Sequence, residues 1–215
     1  MKLLLTSAGL SCEAIRNKFL QMVGKDPKDV VVAFIPTAAD PEKDKWFVKA
    51  ATNEIEELGM KLVTIDLKEE NKQSLEEKLA NCDVLYVNGG NTFYLSDWAR
   101  KSGFDSVLKD FINKGKVYIG TSAGSILLGP DISISGWDSS WDKNIVGLKD
   151  LAGLNLVPFV ISPHFTESER HLLESKIKEV NYKVIALTNK QAMVVFDTEQ
   201  TLVGEGEPVK LHGNK

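Results

Sequence analysis

Val117-Tyr118-Ile119-Gly120-Thr121-Ser122-Ala123-Gly124-Ser125-Ile126-Leu127-Leu128 is the stretch on which the reading of this chain turns. An apolar run of the kind found in buried strands ends in Gly-x-Ser-x-Gly, and a second apolar run follows like the start of a buried helix. A sharp strand-to-helix turn lifts a serine hydroxyl clear of its own backbone. It also leaves backbone N–H groups aimed at whatever that hydroxyl attacks. The flanking glycines relieve the crowding of such a turn. Read alone, the pentapeptide is either an ordinary strand–helix turn or a nucleophile elbow; its context favours the elbow, with Ser122 as the nucleophile.

Outward from this point the same alternation repeats. Strands are expected at 3–6, 30–35, 62–65, 84–87 and 117–119, and helices at 12–23 and 43–58. Ser74-x-x-Glu77 has the form of a capping box opening a further short helix. Helical pattern returns from 93 to 113, with Gly103 interrupting it. Residues 30–35 are continuously apolar, as in a strand covered on both faces. The pattern implies an α/β fold: a mostly parallel sheet with helices on both faces, in a single domain spanning 1–215. Sites in such sheets form beyond the C-terminal strand ends, where Asn88-Gly89-Gly90-Asn91 and the serine elbow both lie. Residues 129–158 make a polar loop carrying Trp137 and Trp141, read either as a pocket wall or as a surface excursion. Beyond it, a strand at 159–162, a helix at 167–180 and a strand at 184–187 are expected. Strands at 193–196, 201–204 and 209–212 then form a small antiparallel C-terminal meander.

Composition narrows the class. With 43% hydrophobic and 26% charged residues the chain is ordinary for a soluble globular protein. A net charge of −4 and the lack of clustered Lys and Arg argue against a nucleic-acid partner. No apolar run approaches a membrane span, and Met1-Lys2-Leu3-Leu4-Leu5-Thr6 is too short for a signal peptide. Cys12 and Cys82 lie far apart with no disulfide framework, which points to a reducing cytoplasm. His164, His171 and His212 have no metal-ligand spacing, so no metal is expected.

A nucleophilic serine needs a base, and histidine is the usual one near neutral pH. His171 falls inside an amphipathic helix and His212 lies close to the end of the sequence. His164 follows a strand end in Ser162-Pro163-His164-Phe165-Thr166, on the sheet edge expected for Ser122, and is the candidate base.

Three motifs in this order, Asn88-Gly89-Gly90-Asn91-Thr92-Phe93-Tyr94-Leu95, Gly120-Thr121-Ser122-Ala123-Gly124-Ser125 and Ser162-Pro163-His164-Phe165-Thr166, resemble those of the peptidase E (aspartyl dipeptidase) family, whose relatives include cyanophycinases. The resemblance spans nearly the whole chain. It implies a flavodoxin-like α/β fold related to class I glutamine amidotransferases and a cytoplasmic serine hydrolase that removes N-terminal aspartate from Asp-X dipeptides. It implies no metal, no cofactor, a small peptide substrate and a homodimer, with the Trp137/Trp141 loop a candidate for the interface. Carried over by motif, Ser122 is the nucleophile, His164 the base, and the N–H groups of Gly90 and Ala123 the oxyanion hole, with Asn91 contacting substrate. Arg170 is the nearest match to the family's aspartate-binding arginine; equally, it can be a surface residue paired with Glu167 and Glu174.

The chain departs from the family at the third triad position. Where the family has glutamate, this sequence has Asn189, in Ala186-Leu187-Thr188-Asn189-Lys190-Gln191. An asparagine carbonyl accepts an imidazole N–H, as in Cys-His-Asn enzymes, but cannot stabilise imidazolium by charge. Glu167, Asp138 and Asp142 are alternative partners for His164. The leading reading is therefore a serine dipeptidase. An esterase, a peptidase of other specificity and a catalytically impaired binding protein stand as alternatives.

Overall fold

Leu3-Leu4-Leu5, Val32-Ala33-Phe34-Ile35 and Val84-Leu85-Tyr86-Val87 are apolar at consecutive positions, so both faces of each strand must be covered. The computed structural model, which describes residues 1–213, meets that demand with helices on both faces of one sheet. Asn214 and Lys215, the last two positions of the expected domain, lie outside the described residues. In chain order the elements are β1 (Lys2–Thr6), α1 (Glu13–Val23), β2 (Val31–Ile35), α2 (Trp46–Glu57), β3 (Lys61–Thr64), α3 (Lys72–Leu79), β4 (Val84–Val87), α4 (Thr92–Ser102), α5 (Phe104–Asn113), β5 (Val117–Thr121) and α6 (Ala123–Ile126). After a long loop come β6 (Phe159–Ser162), α7 (Arg170–Lys176), β7 (Lys183–Ala186), β8 (Gln191–Phe196) and β9 (Glu199–Gly204).

The main sheet runs β3-β2-β4-β5-β1-β8-β9. The pairings from β3 to β1 are parallel; β8 pairs antiparallel with β1, and β9 antiparallel with β8. The run β3-β2-β4-β5 reproduces the first four places of the flavodoxin-like order, and the N-terminal strand takes the fifth. Alternation sorts the side chains to two cores. Leu3, Leu5, Ala33, Ile35, Leu85, Val87 and Tyr118 pack against α3, α4 and α5 through Leu75, Leu95, Phe104 and Leu108. Leu4, Val32, Phe34, Val84, Tyr86 and Ile119 meet α1 and α2 through Ile15, Phe19, Ala51 and Ile55. Both layers bury aromatic rings and branched aliphatics worth about 1.5–3 kcal/mol each on leaving water.

β6 and β7 form a separate parallel pair over a third core that includes Ile126, Val160, Phe165 and Val184. This pair reaches the main sheet through the segment after β5. There Leu154 and Leu156 N–H groups donate to the Leu127 and Leu128 carbonyls, both at 2.9 Å. Among the described residues no helix is long and apolar enough to cross a membrane.

Three local expectations are corrected. The helix expected from Ser74-x-x-Glu77 starts earlier. Asn71 is its cap, accepting from Ser74 N at 3.1 Å while Ser74 Oγ accepts from Asn71 N at 3.0 Å. The helix expected at 167–180 is a short α7 between single 3-10 turns, Glu167–Glu169 and Ile177–Glu179. Residues 209–212 do not pair as a strand, so the C-terminal meander is the hairpin β8–β9, an extension of the main sheet beside β1.

The elbow is tight because α6 begins against the end of β4: a Cβ on Gly124 would lie 2.3 Å from the Val87 carbonyl oxygen. Backbone atoms would have to move, so Gly124→Ala is expected to lower the unfolding free energy by about 2 kcal/mol. Urea denaturation checks this; unchanged stability would mean the elbow has slack.

Candidate active site

Ser122 follows β5 with φ 50° and ψ −108°, a conformation that costs a non-glycine residue about 1–3 kcal/mol. The surrounding structure holds it there. Ser122 N–H donates to the Thr6 carbonyl at 3.0 Å, and Ser125 Oγ lies 2.8 Å from the same oxygen. Tyr118 Oη, fully buried, donates to the Gly124 carbonyl at 2.7 Å. The elbow is thus tied to the C-terminal end of β1, its parallel neighbour.

β6 and β7 deliver the partners. Their parallel register puts Ser162 opposite Ala186, so the segments after both strands leave side by side. Leu187 N–H donates to the Ser162 carbonyl and Phe165 N–H to the Leu187 carbonyl, both at 2.9 Å. His164 lies between them at φ 60°, a second strained residue. Its Nε2 is 3.1 Å from Ser122 Oγ, and its Nδ1 is 2.7 Å from Asn189 Oδ1. The structure therefore brings Ser122, His164 and Asn189 into one hydrogen-bonded chain. Asn189 is itself held by Ser11 Oγ, which donates to its backbone carbonyl at 2.6 Å.

The alternative acids are engaged elsewhere. Glu167 binds Arg170, and Asp138 accepts from Ser140 N at 2.8 Å on the exposed loop. These bonds hold both carboxyls below the usual carboxylate range: the Arg170 bond is the cause for Glu167, and the Ser140 backbone and hydroxyl bonds for Asp138. Asp142 is closer to the chemistry. Its Oδ2 accepts from Thr92 N at 2.7 Å at the start of α4. Burial raises its pKa above the ordinary value, opposed by the Thr92 bonds and by attraction to His164. Asp142 faces His164 electrostatically, whereas the imidazole Nδ1 bond goes to Asn189.

Gly90 lines the same cavity as Ser122, and Ala123 follows Ser122 directly in the chain. Gly90 has φ 130°, and a Cβ there would stand 2.2 Å from the Ala38 carbonyl oxygen, so only glycine lets this loop approach. Gly89 runs against Ser122: a Cβ on it would be 3.3 Å from Ser122 Cβ. Ala123 N is at the first position of α6, among the N–H groups a helix leaves without internal partners. Such donors suit a developing oxyanion.

Two residues expected at the substrate lie elsewhere. Asn91 is the cap of α4, with Oδ1 accepting from Tyr94 N and Nδ2 donating to the Lys143 carbonyl, both at 3.0 Å. Arg170 spends its guanidinium on Glu167, on Glu174 and on the Lys210 carbonyl, and stacks over Phe165. It lines neither cavity beside Ser122. The surface-pair reading of Arg170 is the one that its geometry meets.

Two cavities flank Ser122 and His164 and share Asp142 in their walls. The larger, about 560 Å³, has an apolar wall of Trp46, Phe47, Ala50 and Ala51 from α2, with Glu42 and Glu54 beside it. Burial raises the pKa of both glutamates. The smaller, about 250 Å³, is bounded by Ile126, Ile134 and Trp141, so the tryptophan loop is a pocket wall. Among the described residues, neither Lys nor Arg lines either cavity. Sequence reasoning missed Glu42, Glu54 and the buried Ser7. Ser7 carried a usable signal, since it directly follows a strand at the C-terminal edge.

Residues 3–203 match the model of peptidase family S51. An uncharacterized peptidase of Listeria monocytogenes serovar 1/2a is 35% identical over 72% of this chain and 71% of its own length. Peptidase E of a Nostoc species is 29% identical over 93% of this chain and 78% of its own. A crystal structure from Listeria monocytogenes EGD-e, provisionally named peptidase E, superposes with a TM-score of 0.82 at 28% identity, covering 95% of this chain and 98% of that one.

Because Arg170 is committed to Glu167, Glu174 and the Lys210 carbonyl, Arg170→Ala is expected to leave kcat/KM within about twofold of wild type while lowering thermal stability slightly. Steady-state kinetics with thermal denaturation check this, and a large rise in KM would return Arg170 to the substrate site.

Proposed function

The chain belongs to peptidase family S51, and we propose that it is a serine peptidase that cleaves short peptides through an acyl-enzyme on Ser122. The observation that carries the reading is the chain from Ser122 Oγ to His164 Nε2 at 3.1 Å and from His164 Nδ1 to Asn189 Oδ1 at 2.7 Å, on a strained elbow. In this reading His164 Nε2 takes the hydroxyl proton as Oγ attacks the peptide carbonyl. The carbonyl oxygen becomes an oxyanion facing the N–H groups of Gly90 and Ala123. The imidazolium returns its proton to the leaving amine, and water then releases the acyl group by the same steps in reverse. Asn189 orients the ring without adding a charge.

The cavities favour two small residues, one on each side of the scissile bond. Their charge favours a free N-terminal ammonium, with Asp142 as its anchor, because Asp142 borders both cavities and carboxylates rather than cations line them. The N-terminal aspartate that the resemblance implies would bring its own carboxylate toward Glu42, Glu54 and Asp142, with Arg170 turned away. Buried free cysteines, Cys12 and Cys82, are consistent with a cytoplasmic enzyme.

A panel of X-Leu dipeptides tests the reading. Wild type is expected to hydrolyse Ala-Leu faster than Asp-Leu and to react with a fluorophosphonate. Ser122→Ala should lose both, with turnover falling by at least roughly a thousandfold. An unlabelled wild type that is folded but inert would favour a binding protein. Asp142→Asn should raise KM for free dipeptides about tenfold, the scale of one lost ionic contact. Protonating Asp142 removes the same contact. Since burial raises its pKa, the acid-side fall in kcat/KM should include a component that begins above the ordinary aspartate range and is missing from Asp142→Asn, while the fall set by the general base stays in both.

A further inference from the structure

Asn189 differs from the carboxylate it replaces in one chemical respect beyond charge: its side chain has a wrong end. A carboxylate offers an acceptor whichever way it turns, whereas an amide offers oxygen on one side and NH2 on the other. If the NH2 faced His164 Nδ1, that nitrogen would carry the lone pair and the ring proton would move to Nε2, against Ser122. Such a tautomer cannot accept the serine proton. It is the reason the aspartate-to-asparagine change in a serine protease triad costs about ten-thousand-fold in kcat. An enzyme that uses asparagine therefore needs something to choose the face.

We infer that Ser7 makes this choice: it is a positioning residue whose hydroxyl fixes the Asn189 amide with its oxygen toward His164. The inference rests on the serine-peptidase reading of the site. Ser7 is fully buried, immediately after β1, and its N–H lies 3.3 Å from the Gln191 carbonyl. Its Oγ accepts the backbone N–H of His164 at 2.7 Å and donates to Asn189 Oδ1 at 3.2 Å. Asn189 Oδ1 consequently receives two donors, the Ser7 hydroxyl and His164 Nδ1–H. Turning the amide over would break both bonds and leave the buried hydroxyl proton without its acceptor. The same oxygen of Ser7 also holds His164 in its strained φ of 60°, so one buried hydroxyl sets the position of the base and the tautomer it presents.

The two contributions separate in a double-mutant cycle. Ser7→Ala is expected to lower kcat roughly tenfold with KM within about twofold, the scale of one orienting hydrogen bond. In an Asn189→Asp background, where neither oxygen is wrong, the same Ser7→Ala change should cost no more than about threefold. Equal losses in the two backgrounds would overturn the inference, because a purely structural Ser7 would act alike in both. Ring ¹⁵N spectra of His164 at alkaline pH give a second readout that needs no turnover. Wild type should be protonated at Nδ1, and Ser7→Ala should show a mixture of tautomers. An Nδ1-protonated ring in Ser7→Ala would refute the selector role even if the protein proved not to be a peptidase. Where Ser7→Ala does not fold, Ser7→Cys, close in size with a weaker donor, carries the same comparison.

Discussion

The site depends on the parallel pairing of β1 with β5. That register places Thr6 opposite Thr121, so β1 ends where the elbow begins. The Thr6 carbonyl then takes the Ser122 N–H, and Ser7, one residue on, takes the backbone N–H of His164. Ser122 and His164 follow strands in different sheets, and the end of β1 holds both. Strained residues persist only where surrounding bonds over-determine them, and Ser122 and His164 are both strained and both anchored here.

Around this junction the fold separates rigidity from recognition. The central strands are buried on both faces and present backbone groups at fixed positions along their C-terminal edge. The walls of the cavities come from other parts: α2 on one side, the tryptophan loop on the other. That loop is fixed to the frame through Asp142 on Thr92 and through Asn91 on the Lys143 carbonyl. A polar residue that resembles a substrate ligand in sequence thus serves to hold a wall in place. The carboxylates that remain in the cavities have raised pKa values because they are partly removed from water, and they give the space beside Ser122 a negative character.

The Ser122–His164–Asn189 chain of hydrogen bonds illustrates how a change of one residue type shifts demands onto its neighbours. A glutamate would supply charge and two equivalent acceptors. Asn189 supplies one acceptor with a direction, so its environment must fix that direction. Ser7 bonds its amide oxygen, while Ser11 holds its backbone carbonyl. Both serines belong to the segment after β1, so the end of the N-terminal strand supports His164 and Asn189, more than 150 residues away.

Local pattern determined most of the frame. Continuous apolar runs marked the buried strands, and the alternation of strand and helix marked a parallel sheet, because each depends on which faces a short segment must hide. Gly120, Gly124 and the run before them identified the elbow, and Pro163-His164 identified a strand end, from neighbours in sequence alone. Sequence motifs also drew attention to Asn189. What only the tertiary structure decided was who faces whom. That β6 and β7 form their own pair, that Asn91 caps a helix and Arg170 folds onto its own acids, and that Ser7, Glu42, Glu54 and Asp142 gather near Ser122 all follow from contacts between distant segments. Periodicity reports the face a residue hides, a property of its own element. A hydrogen-bond partner or the sign of charge in a cavity is set by the packing of several elements, and no single stretch of sequence records it.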